Sequence, residues 1–474
     1  MALDLRRLFD PRHIAVVGAS PNHVRGRYDY IDWHATAGFE GILYPVNPRY
    51  REVKGLRCYP TLKDIPGEVD IVITMVPAER TVDLLQDTPA GKVHFLVVIA
   101  SGFSEIGEQE RERELVSVAR ARGIRVIGPN CLGIYSRRKR LVQIPDQPFG
   151  SDSGEIAVVG QSGGLSVNMV RACIKSGVSV NCGVSVGNQG DLCTEDFFEW
   201  FDADDDIKII TAYVEDLKRG PEFAKMVREM SLRKPIIVWK GGITPEGSQA
   251  AASHTGALAV PKGVWEGMLH QTGILPADNA FDIVNLSRAL LWERLPRGPG
   301  VGLISPGGGT SVIMTDSSVK GGLEVPVLSP STREELSKFI ARVNTIIDNP
   351  VDLGAASYLP ETVSDTLSTM AGDDGIQSFI FYLSVYPYKN AGAREMCREY
   401  LAKISEVRRR IDKPIYVALY CPFQNFPEVD EARREAVGFL NDLKIPYTMN
   451  QASCVKMIKG LWDYARHLRG RRNE

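Results

Sequence analysis

The sequence predicts an α/β protein made of three successive parallel-sheet domains. Three observations carry that expectation. Short runs rich in Val and Ile alternate with longer helix-like stretches along all 474 residues, as strand–helix–strand units do. Runs such as Ile71-Val72-Ile73 are apolar at every position, which suits strands covered by helices on both faces. Finally, three strands run into glycine-containing turns that open helices: Val16-Val17-Gly18-Ala19-Ser20, Val159-Gly160-Gln161-Ser162-Gly163-Gly164 and Ile304-Ser305-Pro306-Gly307-Gly308-Gly309. The first block reads as Rossmann-like. The second and third read as two copies of one flavodoxin-like architecture.

The first block, residues 1–135, has expected strands at His13–Ser20, Ile42–Asn47, Val69–Val76, His94–Ser101 and Ile124–Gly128. A basic, proline-containing stretch over 136–153 reads as a linker. The second block, 154–296, has strands near Glu155–Gly160, Ser179–Val186, Ile207–Glu215 and Lys234–Trp239. A Pro/Gly run, Pro296 to Gly300, marks its end. The third block, 297–474, has strands near Val301–Ser305, Val325–Leu328, Ser378–Val385 and Pro414–Leu419, with a helix over Ala393–Arg410.

Composition narrows the function. A formal charge of −2 and a pI near 6.4 favour neither nucleic acid nor an anionic membrane surface. The eight cysteines are scattered without paired CxxC spacing, so neither a zinc site nor another metal centre is expected, and a reducing cytoplasm fits. The amino terminus has no long apolar run of the signal-peptide kind, and no segment reaches the ~18 apolar residues of a membrane span.

In open α/β sheets, ligands sit at the carboxyl ends of the strands. In the first block those ends are Gly18-Ala19-Ser20, Val46-Asn47, Val76-Pro77, Ser101-Gly102-Phe103 and Asn130, all small or turn-forming, which suits a nucleotide-like ligand. The dinucleotide fingerprint is absent: the next glycine after Gly18 is Gly26, and the second strand ends in Asn47-Pro48 rather than in an acid. A Rossmann oxidoreductase is therefore disfavoured. In the second block Ser162, Gly163 and Gly164 form a turn whose N–H groups could cradle a phosphoryl group. Glu215 ends a buried strand and could hold an imidazole through one ring nitrogen. His254 follows Pro235–Trp239 and a glycine-containing segment, among small neighbours that leave room for a larger group. We read it as a nucleophile carrying a phosphoryl group on a mobile loop. A hydrogen-bonded loop histidine is the plainer alternative.

Several runs together resemble the NDP-forming acyl-CoA synthetases, relatives of the succinyl-CoA synthetase α subunit. They are Val16–Ser20, Pro45–Pro48, Gly128–Gly133, Gly160–Gly164, Val186–Gln189, Ser253–Leu258 and Asn349–Leu353, in family order across nearly the whole chain. The likeness is greatest to the α subunit of ADP-forming acetyl-CoA synthetases. The resemblance implies a Rossmann-like CoA-binding domain followed by two flavodoxin-like ligase domains. It implies CoA near Gly18, Ala19, Ser20, Val46, Asn47, Ser101, Gly102, Phe103 and Asn130. It also implies a phosphorylated His254, its support by Glu215, and a phosphoryl-receiving turn at Ser162, Gly163 and Gly164. The implied substrates are a small carboxylic acid, CoA, and ATP or GTP with Mg2+. No region is left for an ATP-grasp nucleotide domain, so a separate β subunit and a hetero-oligomer are expected. Asp216 stands where the family frequently has glycine, Val260 replaces another common glycine, and Ser305-Pro306 stands where Asn-Ala is usual. A CoA-binding regulatory protein that kept the fold without turnover is the competing expectation.

Overall fold

The computed structural model describes residues 3–21, 28–150, 154–255, 260–385, 391–420 and 427–472, with only the backbone of 252–255, 358, 391–394 and 471–472. The chain divides into two compact units, Met1–Val284 and Asn285–Glu474. The first two expected blocks thus form one unit. The division from the third falls inside the helix Ala280–Trp292 rather than at the Pro/Gly run.

The first unit begins with β1 (His13–Val17), β2 (Ile42–Val46), a hairpin of β3 (Glu52–Val53) and β4 (Leu56–Arg57), β5 (Val69–Thr74), β6 (Val93–Val98) and β7 (Arg125–Ile127). The long strands form a sheet of order β2-β1-β5-β6-β7, and the described ladders between them are parallel. Beyond β2, Tyr59 bridges Val46 in parallel, and its N–H and C=O bond Pro45 and Asn47 at 2.9 Å each. Counting that bridge as a reduced strand gives the Rossmann order 3-2-1-4-5-6.

A second sheet holds β8 (Ile134–Ser136), β9 (Ile156–Gly160), β10 (Val180–Ser185), β11 (Ile209–Val214), β12 (Ile236–Lys240) and β13 (Leu275–Ala277), in the order β13-β12-β11-β9-β10-β8. Its parallel strands follow the flavodoxin order, and β8 adds an antiparallel edge. The stretch read as a linker therefore starts inside this sheet. Ser136 ends β8, pairs with Leu141, and donates its hydroxyl to the Phe9 carbonyl at 2.7 Å. The basic run beside it masks a three-residue strand, too short for a periodic pattern.

The two sheets share one core. The helix Arg6–Phe9 inserts Phe9 against Phe197 and Phe201 of the second domain, with ring centroids 6.3 and 5.5 Å apart. A second weld is electrostatic. The buried Asp191 carboxylate accepts from Arg120, from Arg125 Nε at 2.8 Å and from the Val126 N–H at 2.8 Å. The guanidinium groups hold its pKa below the usual carboxylate range against the opposing cost of burial.

The second unit repeats the flavodoxin order with β14 (Val301–Ser305), β15 (Val351–Asp352), β16 (Ser378–Ser384), β17 (Ile415–Tyr420) and β18 (Tyr447–Thr448), ordered β15-β14-β16-β17-β18. Val325–Leu328 is not a strand: Pro326 removes a ladder donor, and only Glu324 bridges Gly300. Asn349 stitches this sheet. Its side chain accepts from the Leu303 N–H at 2.9 Å and donates to the Val301 carbonyl at 2.8 Å. No helix among the described residues is long and apolar enough to cross a membrane.

Candidate active site

The first candidate site lies over the carboxyl ends of β1, β2 and β5. There the strand order changes direction and the chain leaves a crevice. Gly18 turns the chain away from β1 at φ +89°, a conformation that penalises any Cβ, while its N–H donates to the Val46 carbonyl at 3.0 Å. Asn47 braces the turn: Nδ2 donates to the Ala19 carbonyl at 2.8 Å, and Oδ1 accepts from the Arg49 N–H at 3.0 Å. The result is a cavity of about 560 Å³, large enough for a nucleotide-sized ligand. Gly18, Ala19, Ser20, Val46, Asn47, Val76 and Pro77 line it, with Arg49 and Arg80 supplying positive charge.

The remaining first-domain candidates sit elsewhere. Ser101, Gly102, Phe103 and Asn130 do not line this cavity. The Phe103 ring is fully buried in the core, so only its backbone can face a ligand. Glu105 accepts from the N–H groups of Gly102 at 2.5 Å and Phe103 at 3.2 Å. Its pKa is lowered: these amides and Asn188 outweigh desolvation, which is the largest single influence and acts in the opposite direction. Asn130 Nδ2 reaches Asn188 Oδ1 at 3.4 Å, so this edge faces the second domain.

The second site gathers at the ends of β9, β11 and β12. Ser162 caps the helix Gly163–Lys175, its hydroxyl accepting from the Leu165 N–H at 3.4 Å. Gly163 has no room for a side chain, since a Cβ would lie 2.8 Å from Leu132. Gly164 is open, with nothing within 4 Å of a Cβ position. A helix start with free N–H groups favours anions. Glu215 is buried just past β11, and its Oε1 accepts from the Tyr213 hydroxyl at 3.1 Å.

His254 falls in a helix, Pro245–Thr255, rather than in an open glycine loop, and its side chain lies outside the described residues, as do all atoms of 256–259. The reason for the helix is local. Thr244 caps it, accepting from the Gly247 N–H at 3.0 Å; Pro245 takes the first position; and Gln249-Ala250-Ala251-Ala252 are strong helix formers. This helix packs against the turn Ser104–Ile106 that follows Phe103. The chain thus brings the His254 helix alongside the Ser101–Phe103 strand end.

Four further residues belong to this site. Gln161, Asp216, Gln189 and Lys240 are all buried; Gln161 and Lys240 bond the Glu215 backbone, and Asp216 bonds Gln161 and Gln189. Their only trace in the sequence is polarity next to a strand end, which turns also explain. No cluster of three or more potential metal ligands occurs among the described residues.

Comparison with known proteins matches this layout. Residues 12–137 match the model of a CoA binding domain, and 153–290 that of a succinyl-CoA ligase like flavodoxin domain. The chain is 33% identical to the α subunit of acetate–CoA ligase [ADP-forming] II of Pyrococcus furiosus, over 86% of this chain and 88% of that protein. It is 29% identical to the α subunit of the form I enzyme from the same organism, over 98% of both. A longer relative, acetate–CoA ligase [ADP-forming] I of Archaeoglobus fulgidus, is 31% identical over 80% of this chain but 55% of its own length. Among solved structures, acetyl-coenzyme A synthetase 1 of Ca. Korarchaeum cryptofilum, in complex with phosphate and ADP, superposes with a TM-score of 0.83 at 31% identity, covering 98% of each chain.

Proposed function

Because this chain belongs to the NDP-forming acyl-CoA synthetases, as an α-subunit-type acid–thiol ligase of the ADP-forming kind, we propose that it couples nucleotide cleavage to thioester formation through phosphorylated His254. A ring nitrogen of His254 attacks the terminal phosphorus of ATP, forming an N–P bond and releasing ADP. The oxygen of a small carboxylic acid then takes the phosphoryl group, giving an acyl phosphate and free imidazole. The CoA sulfur attacks the acyl carbon, the C–O bond to phosphate breaks, and the thiol proton leaves with the phosphate product. Each step is reversible, since each intermediate stays activated.

The observation that carries this reading is the convergence, in one unit, of three features. They are a nucleotide-sized crevice over Gly18–Ser20, an anion-favouring helix start at Ser162–Gly164, and a buried acid, Glu215, at the adjacent strand end. The crevice suits CoA, with Arg49 and Arg80 available to its phosphates. The Ser162 turn would receive the phosphoryl group, and Glu215 would orient the imidazole. The packing of the His254 helix on Ser104–Ile106 supports a path from phosphohistidine to the thiol end of CoA. Nucleotide and Mg2+ would be held by an ATP-grasp subunit. The α-subunit names of the Pyrococcus relatives and the greater length of the Archaeoglobus protein support that division. We place the complex in the cytoplasm.

The test is labelling by γ-labelled ATP with the co-purifying nucleotide subunit. The chain acquires acid-labile, base-stable label; His254→Ala abolishes it while CoA still binds. Label that survives the substitution overturns the assignment, and CoA binding without any label points to the regulatory alternative.

A further inference from the structure

The polar groups around Glu215 form a set that its own chemistry does not require. Glu215 lies one residue beyond β11, where ladder pairing stops, yet its backbone remains buried. Its peptide groups must therefore be satisfied by side chains. The Gln161 Oε1 accepts from the Glu215 N–H at 2.6 Å and from the Asp216 N–H at 3.0 Å. The Lys240 ammonium donates to the Glu215 carbonyl at 2.8 Å and also bonds the Gly241 carbonyl. The carboxylate itself receives the Tyr213 hydroxyl. Three side chains from three strand ends thus hold the N–H, the C=O and the carboxylate of one residue.

Each of the three is itself fixed. The Asp216 Oδ1 accepts from Gln161 Nε2 at 2.5 Å, which orients the amide so that its oxygen faces the two N–H groups. The same carboxylate is held by Gln189 at 3.2 Å and Lys218 at 3.0 Å. Tyr213 packs edge-on against Trp239 at 5.0 Å, and its hydroxyl fits because Gly241 has no side chain: a Cβ there would lie 2.4 Å from it. Lys240 ends β12, which leads into the helix carrying His254, so its bond to Glu215 ties the acid's strand to the histidine's.

We infer that Tyr213, Gln161 and Lys240 are positioning residues that fix Glu215 for phosphoryl transfer, with Asp216 setting the orientation of Gln161. This rests on the role proposed above for Glu215. A carboxylate that must meet an imidazole arriving on a separate helix gains from losing its own freedom beforehand, because that ordering is then not charged to the reaction step.

Tyr213→Phe removes one hydroxyl and leaves the packing. With the nucleotide subunit and γ-labelled ATP, rapid-quench labelling should slow by roughly ten-fold, the worth of one hydrogen bond to a carboxylate. The KM for CoA should stay unchanged. Lys240→Met should slow labelling similarly, and Lys240→Arg should restore part of it. Combining Tyr213→Phe with Glu215→Gln should be no slower than Glu215→Gln alone. A wild-type rate in Tyr213→Phe overturns the inference if Glu215→Gln is itself slow. A wild-type rate in Glu215→Gln instead overturns the role of Glu215.

Discussion

His34 shows what burial does to a single group. It is enclosed by Tyr30 and Phe39, its Nδ1 has no hydrogen-bond partner among the described residues, and burial lowers its pKa to about 4. An unfolded imidazole keeps the ordinary value of 6.5. Between the two values the unfolded chain takes up a proton that the folded chain refuses. Stability is therefore highest above the unfolded value and falls as pH drops through this window, by roughly 3 kcal/mol in all. Urea titrations across that range should show the decline, and His34→Leu should flatten it. Nothing in the sequence marks this histidine as buried, because its environment is assembled from distant segments. The same holds for Gln161, Tyr213 and Lys240. Their residue types are visible, but their convergence on Glu215 depends on how neighbouring strands end. Gly18, Val46, Asn47 and Val76 were legible as a group, since strand ends of one parallel sheet necessarily share an edge.

Elements with strong local character matched their sequence pattern, and those without it did not. The apolar runs of β1, β5, β9, β11 and β16 are long enough to be read directly. β8, β13, β15 and β18 have two or three residues each and exist because a longer neighbour pairs with them. The His254 segment erred the other way: its glycines suggested a loop, while a capping threonine and an alanine run made a helix. The junction of β9 with the helix Gly163–Lys175 is the tightest place in the proposed phosphoryl site. A Cβ on Gly160 would lie 2.3 Å from Ser166 Cβ and 2.8 Å from its Cα, so backbone must move. Gly160→Ala should cost about 1–3 kcal/mol in chemical denaturation. Gly164→Ala, with open space at its Cβ, should leave stability unchanged or slightly raised.

Across the whole molecule, the first two domains act as one body because they share a core and an ion cluster around the buried Asp191 carboxylate. Asp191→Ala would strip Arg120, Arg125 and the Val126 N–H of their common acceptor. Calorimetry should then show the transition of the first unit falling by roughly 3–4 °C, for a loss of about 2 kcal/mol. The transition of the second unit should stay in place; a shift in both would mean the cluster serves more than the first unit. The sequence by itself determined three parallel sheets, their order along the chain, the glycine turns that open them, and the strand ends where ligands can sit. Those follow from local rules: apolar runs bury, glycines turn, and parallel strands align their carboxyl ends. Only the tertiary structure decided that two domains fuse into one unit, that His254 rides a helix against the Ser104–Ile106 turn, and that Glu215 is held from three sides. Apart from the Tyr213 hydroxyl, two residues from Glu215, these contacts join residues tens of positions apart, and their geometry is set by packing.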